Sequence, residues 1–147
     1  MKRIFEVLAD KPLVFVSPSE VIRQAARKMT QNNVGAVAVL DDENHLTGIF
    51  TERDVMTRVV AEGLDPDTTT VGEVMTTKIV VATSGDNVAS SVQKMHDVGC
   101  RHLPVVDDGK LVGMISLRDL LEIDGESSRA RATFLRELVT YSADYES

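Results

Sequence analysis

The chain has 147 residues and a formal net charge of -7, a balance that repels phosphate backbones and argues against nucleic acid as a partner. Hydrophobic residues make up 43%, enough for a packed core, but with 4% aromatics and no Trp that core must be built from Val, Ile, Leu, Met and Ala. One cysteine, Cys100, excludes an internal disulfide or thiolate metal cluster, and no apolar run resembles a membrane span or a signal peptide, so a cytoplasmic setting and no membrane partner are expected.

The first predicted element is the short β run Leu13-Val14-Phe15-Val16. Ser17-Pro18-Ser19-Glu20 then reads as a helix start, with Ser at N-cap, Pro at N1 and Glu at N3. Val21, Ile22, Ala25, Ala26 and Met29 continue at helical spacing. Residues 36–40 and 46–51 are short strands, joined through Asp41-Asp42-Glu43-Asn44 as a hairpin. A second helix is predicted over residues 52–61, a turn-rich linker over 63–70 and a short helical lead over 71–75. The same order then returns: a β run at 79–82, a helical stripe of Val88, Val92 and Met95, strands at 103–106 and 111–116 around Asp107-Asp108-Gly109-Lys110, and a helix at 117–123. Beyond Gly125, Phe134, Leu138 and Tyr141 fall at i, i+4 and i+7, with Leu135 and Val139 beside them. This is an amphipathic helix that packs either on its own module or across a dimer.

The return is a true repeat. At an offset of 66, Val14 meets Val80, Ser17 meets Thr83, Glu20 meets Asp86, Lys28 meets Lys94 and Met29 meets Met95. One residue is lost in the hairpin turn, and at an offset of 65 Gly48 meets Gly113, Thr51 meets Ser116 and Arg53-Asp54 meets Arg118-Asp119. The period is too long for the short solenoid repeats, and two copies suggest a pseudo-symmetric pair. The expected organisation is repeat one with its lead at 1–62, a linker at 63–70, repeat two at 71–124 and a C-terminal amphipathic helix and tail at 125–147.

The informative motif also occurs twice, as Gly48-Ile49-Phe50-Thr51-Glu52-Arg53-Asp54 and Gly113-Met114-Ile115-Ser116-Leu117-Arg118-Asp119. In each, a strand runs into a helix through Thr or Ser, with Asp three residues later. One reading is structural: Thr51 and Ser116 are N-caps, and Asp54 and Asp119 are favourable first-turn charges. The other is functional. A hydroxyl beside a helix start suits a phosphate oxygen, and a carboxylate one turn away accepts from both hydroxyls of a ribose. Anion donor and diol acceptor at fixed separation describe a ribonucleotide.

These motifs, with Arg-His-Leu-Pro-Val-Val-Asp at 101–107 and Val-Gly-Glu-Val-Met-Thr at 71–76, resemble the cystathionine-β-synthase (CBS) domain pair over about residues 8–124. The resemblance implies an α/β fold: two βαββα CBS repeats packed with pseudo-two-fold symmetry, here followed by a C-terminal helix. It implies two clefts. One would combine Ile49, Thr51, Arg53 and Asp54 with Thr83, Val88, Cys100, Arg101 and His102; the other Met114, Ser116, Arg118 and Asp119 with Ser17, Ile22, Val34 and Gly35. Asp would hold ribose hydroxyls, Thr or Ser the phosphate, and Ile, Val and Met the adenine. Arg101 and His102 match phosphate-contacting positions of the family, whereas their counterparts are Gly35 and Ala36, so the Asp54 site is expected to take a phosphorylated ligand more tightly.

The function so implied is a non-catalytic sensor for AMP or another adenosyl ligand such as ATP, NADH or S-adenosylmethionine, acting as a homodimer on an unidentified regulated protein. The alternative is a ligand-free dimeric scaffold. The three histidines lack metal spacing, so no metal is expected. Cys100 reads as a packed cysteine; the other reading is a thiol whose pKa the adjacent Arg101 and His102 could lower.

Overall fold

The structure, a computed structural model, describes residues 3–8 and 11–123. The predicted C-terminal helix, with Phe134, Leu138 and Tyr141, lies outside the described residues. The elements are α1 (Ile4–Leu8), β1 (Phe15–Val16), α2 (Ile22–Gln31), β2 (Ala36–Leu40), β3 (Leu46–Thr51), α3 (Glu52–Asp54) continuing as a π-helical turn (Val55–Val60), α4 (Val71–Val74), α5 (Val88–Val98), β4 (His102–Asp107), β5 (Lys110–Ser116) and α6 (Leu117–Ile123). This is a mixed α/β chain of two repeats. They fall into two compact units, one formed by Pro12–Ile79 and Val106–Met114, the other drawing its described residues from Met1–Lys11, Val80–Val105 and Ile115–Ser147.

In the Pro12–Ile79 unit β2 is the central strand, parallel to β1 and antiparallel to β3. All five of its residues are buried, as a strand covered on both faces requires. Val37 and Val39 meet Phe50, Val16 and the α2 stripe of Ile22, Ala25 and Met29 in one core. In the other unit α5 buries Val88 and Met95 against Leu103, Val105, Ile115, Leu117 and Leu120. Both long helices end with a residue in the left-handed region, Gly99 at φ 75° and, at the matching place, Asn33 at φ 54°. Asp108 and Gly109, at φ 50° and 78°, make the tight turn between β4 and β5.

The structure departs from the sequence reading at three places. First, the β run at 79–82 forms no strand; a single parallel bridge joins Ala82 to Val105. In repeat one the matching pairs are Phe15 with Ala38 and Val16 with Val39. Pro104 stands where Ala38 stands, and without an N–H it removes a ladder bond. Second, α2 begins at Ile22 rather than behind Ser17, while α5 begins at Val88, the first residue of the expected stripe. Ser17–Glu20 and Thr83–Asp86 close turns instead, because Val21 and Asn87 are held extended by bridges to Thr70 and Arg3. Third, the helix over 52–61 widens after Asp54, where Ala61 N donates to Met56 O at 2.9 Å and the Thr57 hydroxyl takes the Arg53 carbonyl at 2.9 Å.

The lead helices are placed in a way the sequence did not suggest. In α4, Val71 N donates to Glu20 O at 2.8 Å and Gly72 N to Pro18 O at 2.9 Å, and Val71 and Val74 enter the Pro12–Ile79 core. In α1, Ile4 N donates to Asp86 O at 3.0 Å and Phe5 N to Ser84 O at 3.1 Å, and Ile4 is fully buried in the other core. Glu20 and Pro18 align with Asp86 and Ser84 at the repeat offset, so α1 is the counterpart of α4. Each lead helix precedes one repeat in sequence and completes the core of the other.

The segment after α4 lies close on β3. Ile49 and Thr76 exchange backbone hydrogen bonds of 2.9 Å, and a Cβ on Gly48 would stand 2.5 Å from Met75 Sδ and 3.0 Å from the Thr76 carbonyl oxygen. Gly48→Ala is therefore expected to cost about 1–3 kcal/mol as an overpacked site. Urea denaturation checks this: the midpoint should fall while the slope stays unchanged.

Candidate functional site

The two Thr/Ser-x-x-Asp motifs fold into the same hydrogen-bonded box. Thr51 Oγ1 accepts from Asp54 N at 3.2 Å, and Asp54 Oδ2 accepts from Thr51 N at 3.0 Å. Ser116 Oγ accepts from Asp119 N at 3.0 Å, and Asp119 Oδ2 accepts from Ser116 N at 2.9 Å. The structural reading of these residues as helix caps therefore holds. It leaves chemistry to spare. A hydroxyl oxygen that accepts a hydrogen bond still has its proton to donate, and each carboxylate has a second oxygen, Oδ1, outside the box.

What meets that second oxygen differs between the copies. The Thr76 hydroxyl donates to Asp54 Oδ1 at 3.2 Å, with Arg58 Nε 3.6 Å away. Arg58 Nη1 also donates to the carbonyls of Val74 and Met75, at 3.1 Å each, at the end of α4. Asp119 Oδ1 instead takes the Lys11 ammonium at 2.5 Å. Thr76, Arg58 and Lys11 were not assigned to a site by sequence. Arg58 carried a signal, its i+4 spacing from Asp54. Thr76 closes the quoted motif at 71–76 but had no partner in view. Lys11 is 108 positions from Asp119 and carried none.

The other expected site residues are distributed as follows. Ile49, Thr51, Arg53, Asp54, Ser17, Ile22, Val34, Gly35 and Met114 belong to the Pro12–Ile79 unit. Thr83, Val88, Cys100, Arg101, His102, Ser116, Arg118 and Asp119 belong to the other. Within each unit the backbone ties the motif to the residue just before the strand that opens the hairpin of the same repeat: Glu52 N donates to Gly35 O at 3.0 Å and Leu117 N to Arg101 O at 2.8 Å. Ile22 and Val88 are core residues, 1% and 7% exposed. Asp54 is 5% exposed, whereas Thr83, Arg53 and Arg118 lie at the surface, the last 3.7 Å from Glu122.

Electrostatics separate the groups further. Partial burial disfavours the Asp119 charge, but the hydrogen bonds from Lys11 and Ser116 outweigh it and hold the carboxyl below the usual range. Burial pushes His102 down to about 4; Asp119 opposes the shift, and Arg101 and Lys11 add to it. His102 is thus a neutral hydrogen-bonding group near pH 7, not a second cation beside Arg101. Of the two readings of Cys100, the packed cysteine is the one that fits: burial raises its pKa, opposed only by a hydrogen bond from the His102 backbone. Among the described residues there is no group of three or more His, Cys, Asp or Glu able to hold a metal ion, and no helix long and apolar enough to cross a membrane.

Two repeats with duplicated Thr/Ser-x-x-Asp boxes define the class. The family profile for the CBS domain matches residues 4–61 and 71–126, and the chain belongs to the CBS-domain family. It is 38% identical to the CBS domain-containing protein YhcV of Bacillus subtilis over 120 residues, covering 80% of this chain and 84% of that protein. Two other curated relatives, from Methanopyrus kandleri and Arabidopsis thaliana, are longer: the chain spans 60% and 57% of their length. A protein with CBS domains from Burkholderia ambifaria superposes with a TM-score of 0.79 at 30% identity, over 86% of this chain and 96% of that one. The CBS domain protein PAE2072 from Pyrobaculum aerophilum, solved in complex with AMP, superposes with a TM-score of 0.74 at 29% identity, over 80% of this chain and 89% of that one.

His102 makes a pH prediction. Its folded pKa of about 4 lies below its ordinary value of 6.5, so the unfolded chain takes up the proton first. The stability contributed by the neutral ring is full above about pH 6.5 and is lost as pH falls towards 4. The loss is up to ~3 kcal/mol. Chemical denaturation at stepped pH should show this slope in the wild type and a shallower one in His102→Gln.

Proposed function

We propose that the chain is a non-catalytic regulatory module that binds an adenine nucleotide through its two Thr/Ser-x-x-Asp motifs. AMP is the first candidate, ahead of ATP, NADH and S-adenosylmethionine. The observation that carries this reading is the twofold occurrence of one geometry, a hydroxyl with a free proton beside a carboxylate with an oxygen outside the capping box. The Thr51 and Ser116 hydroxyls would donate to phosphate oxygens. The Asp54 and Asp119 carboxylates would accept from the ribose 2′ and 3′ hydroxyls. The AMP complex of the related Pyrobaculum protein supports this choice of ligand. Thr83, Val88, Cys100, Arg101 and His102 with the Asp54 motif, and Ser17, Ile22, Val34 and Gly35 with the Asp119 motif, remain the proposed contact sets. A ligand held this way acts on a regulated partner only through different affinities for two states of the module.

The test is a thermal-melt panel of AMP, ADP, ATP, NADH and S-adenosylmethionine on the wild type, Asp54→Ala and Asp119→Ala. A ligand at 100 times its Kd adds about 2.7 kcal/mol, which is a rise of roughly 5–10 °C for a chain this size. A rise with one adenosyl ligand, reduced in Asp54→Ala, supports the reading. A rise that neither substitution touches rules out these motifs.

A second reading, the ligand-free dimeric scaffold, is favoured by a different feature. An apolar groove of about 620 Å³ opens between α2 and the π-helical turn, lined by Ile22, Ala26, Val55, Val59, Val60 and Leu64. Met56, Val60 and Leu64 are 54%, 70% and 41% exposed, a patch that suits a second copy of the chain. Sedimentation of Val60→Glu tests it: a dimeric wild type should become monomeric, and an unchanged mass would exclude this face.

A further inference from the structure

The two motifs make the same pair of hydrogen bonds in their capping boxes, yet their free oxygens meet different chemistry. Each partner comes from the segment that follows a lead helix. After α4, Thr76 brings a neutral hydroxyl to Asp54 Oδ1 at 3.2 Å. After α1, Lys11 brings an ammonium to Asp119 Oδ1 at 2.5 Å. A hydroxyl can rotate and exchange its hydrogen bond at little cost. An ammonium on a carboxylate that is only 15% exposed forms a charge-assisted bond in reduced dielectric, and losing it leaves the carboxylate uncompensated.

We infer that Lys11 is a built-in counter-ion that gates the Asp119 motif. Its ammonium occupies the oxygen a ribose diol needs, so a nucleotide enters this motif only by displacing Lys11, whereas at the Asp54 motif the Thr76 hydroxyl turns and Arg58, 3.6 Å from Oδ1 and held on the Val74 and Met75 carbonyls, can stay in place. This inference rests on the ligand reading above and deepens it. It makes the two motifs fill in order, Asp54 first and Asp119 at higher ligand concentration. Lys11 is 41% exposed at its side chain, so it has room to swing into solvent when the ligand arrives. One chain then reports two ranges of ligand concentration with a single pair of motifs.

The experiment has two arms on the full chain. In the first, without ligand, ¹³C-detected NMR follows the Asp119 carboxyl through a pH titration in the wild type and Lys11→Met. The carboxyl should titrate at higher pH in Lys11→Met, and an unchanged titration overturns the ion pair. In the second, AMP is titrated into Asp54→Ala, so that only the Asp119 motif reports, with and without Lys11→Met and Lys11→Arg. Lys11→Met should tighten AMP by up to about fivefold, the equivalent of one partly exposed ion pair, and Lys11→Arg should stay close to the Asp54→Ala parent. Weaker AMP binding in Lys11→Met makes Lys11 a ligand contact and overturns the gate. Wild type that binds AMP while Lys11→Met changes nothing in the second arm overturns the gate alone. AMP binding to none of the proteins, with the carboxyl shift present, fails the ligand reading and the gate with it.

Discussion

Each repeat depends on a helix that belongs, by sequence, to the approach of the other. The Pro12–Ile79 core is closed by Val71 and Val74 of α4, and the other core by Ile4 of α1. The docking is by backbone, through matched pairs of hydrogen bonds to the turns at Pro18–Glu20 and Ser84–Asp86. Those turns cannot be the first turn of a helix and a docking strip at once. This is why α2 starts after Val21 rather than behind Ser17, and why Val21 and Asn87 are drawn out into bridges. The arrangement has a functional consequence, because the chain leaving each lead helix passes the Asp of the motif. The residue that happens to stand there, Thr76 or Lys11, sets the local chemistry of Asp54 or Asp119.

The motifs show how a structural device can leave atoms for the proposed ligand contact. A capping box uses one oxygen of the carboxylate and one lone pair of the hydroxyl. It fixes both side chains against rotation and leaves a proton and an oxygen pointing away from the helix backbone. Thr51 and Ser116 can serve as caps and still donate. The two readings of the motif, cap and ligand anchor, are thus complementary. Preorganisation by the cap is what would make a short motif worth using for binding, since little side-chain freedom remains to be lost.

The hairpins were legible because their signal is local. Short strand-length runs flanking a polar turn place β2 and β3 at the expected residues, and the Asp108-Gly109 pair specifies the tight turn between β4 and β5. The start of α2 was misplaced because Ser17-Pro18-Ser19-Glu20 satisfies a local capping rule that the docking of α4 overrides. The missing strand at 79–82 had its cause in plain sight, Pro104, but the cost appears only when the partner strand is known. Of the candidate site, the two Asp and two hydroxyl residues were legible from the duplication. Thr76 and Lys11 were not, because their contacts are made across 22 and 108 positions of chain.

Duplication usually yields two equivalent sites, and divergence then has to separate them. In this chain the separation does not lie in the motif residues themselves, which keep Asp and a hydroxyl in both copies. It lies in what the preceding segment offers to the same carboxylate oxygen. Lys11 and Ser116 together outweigh the burial that opposes the Asp119 charge, while Asp54, more deeply buried, is held by neutral donors and a guanidinium at 3.6 Å. A segment outside the motif is free to vary without disturbing the capping box or the core. Substitution there can retune one motif while the fold that positions both stays intact.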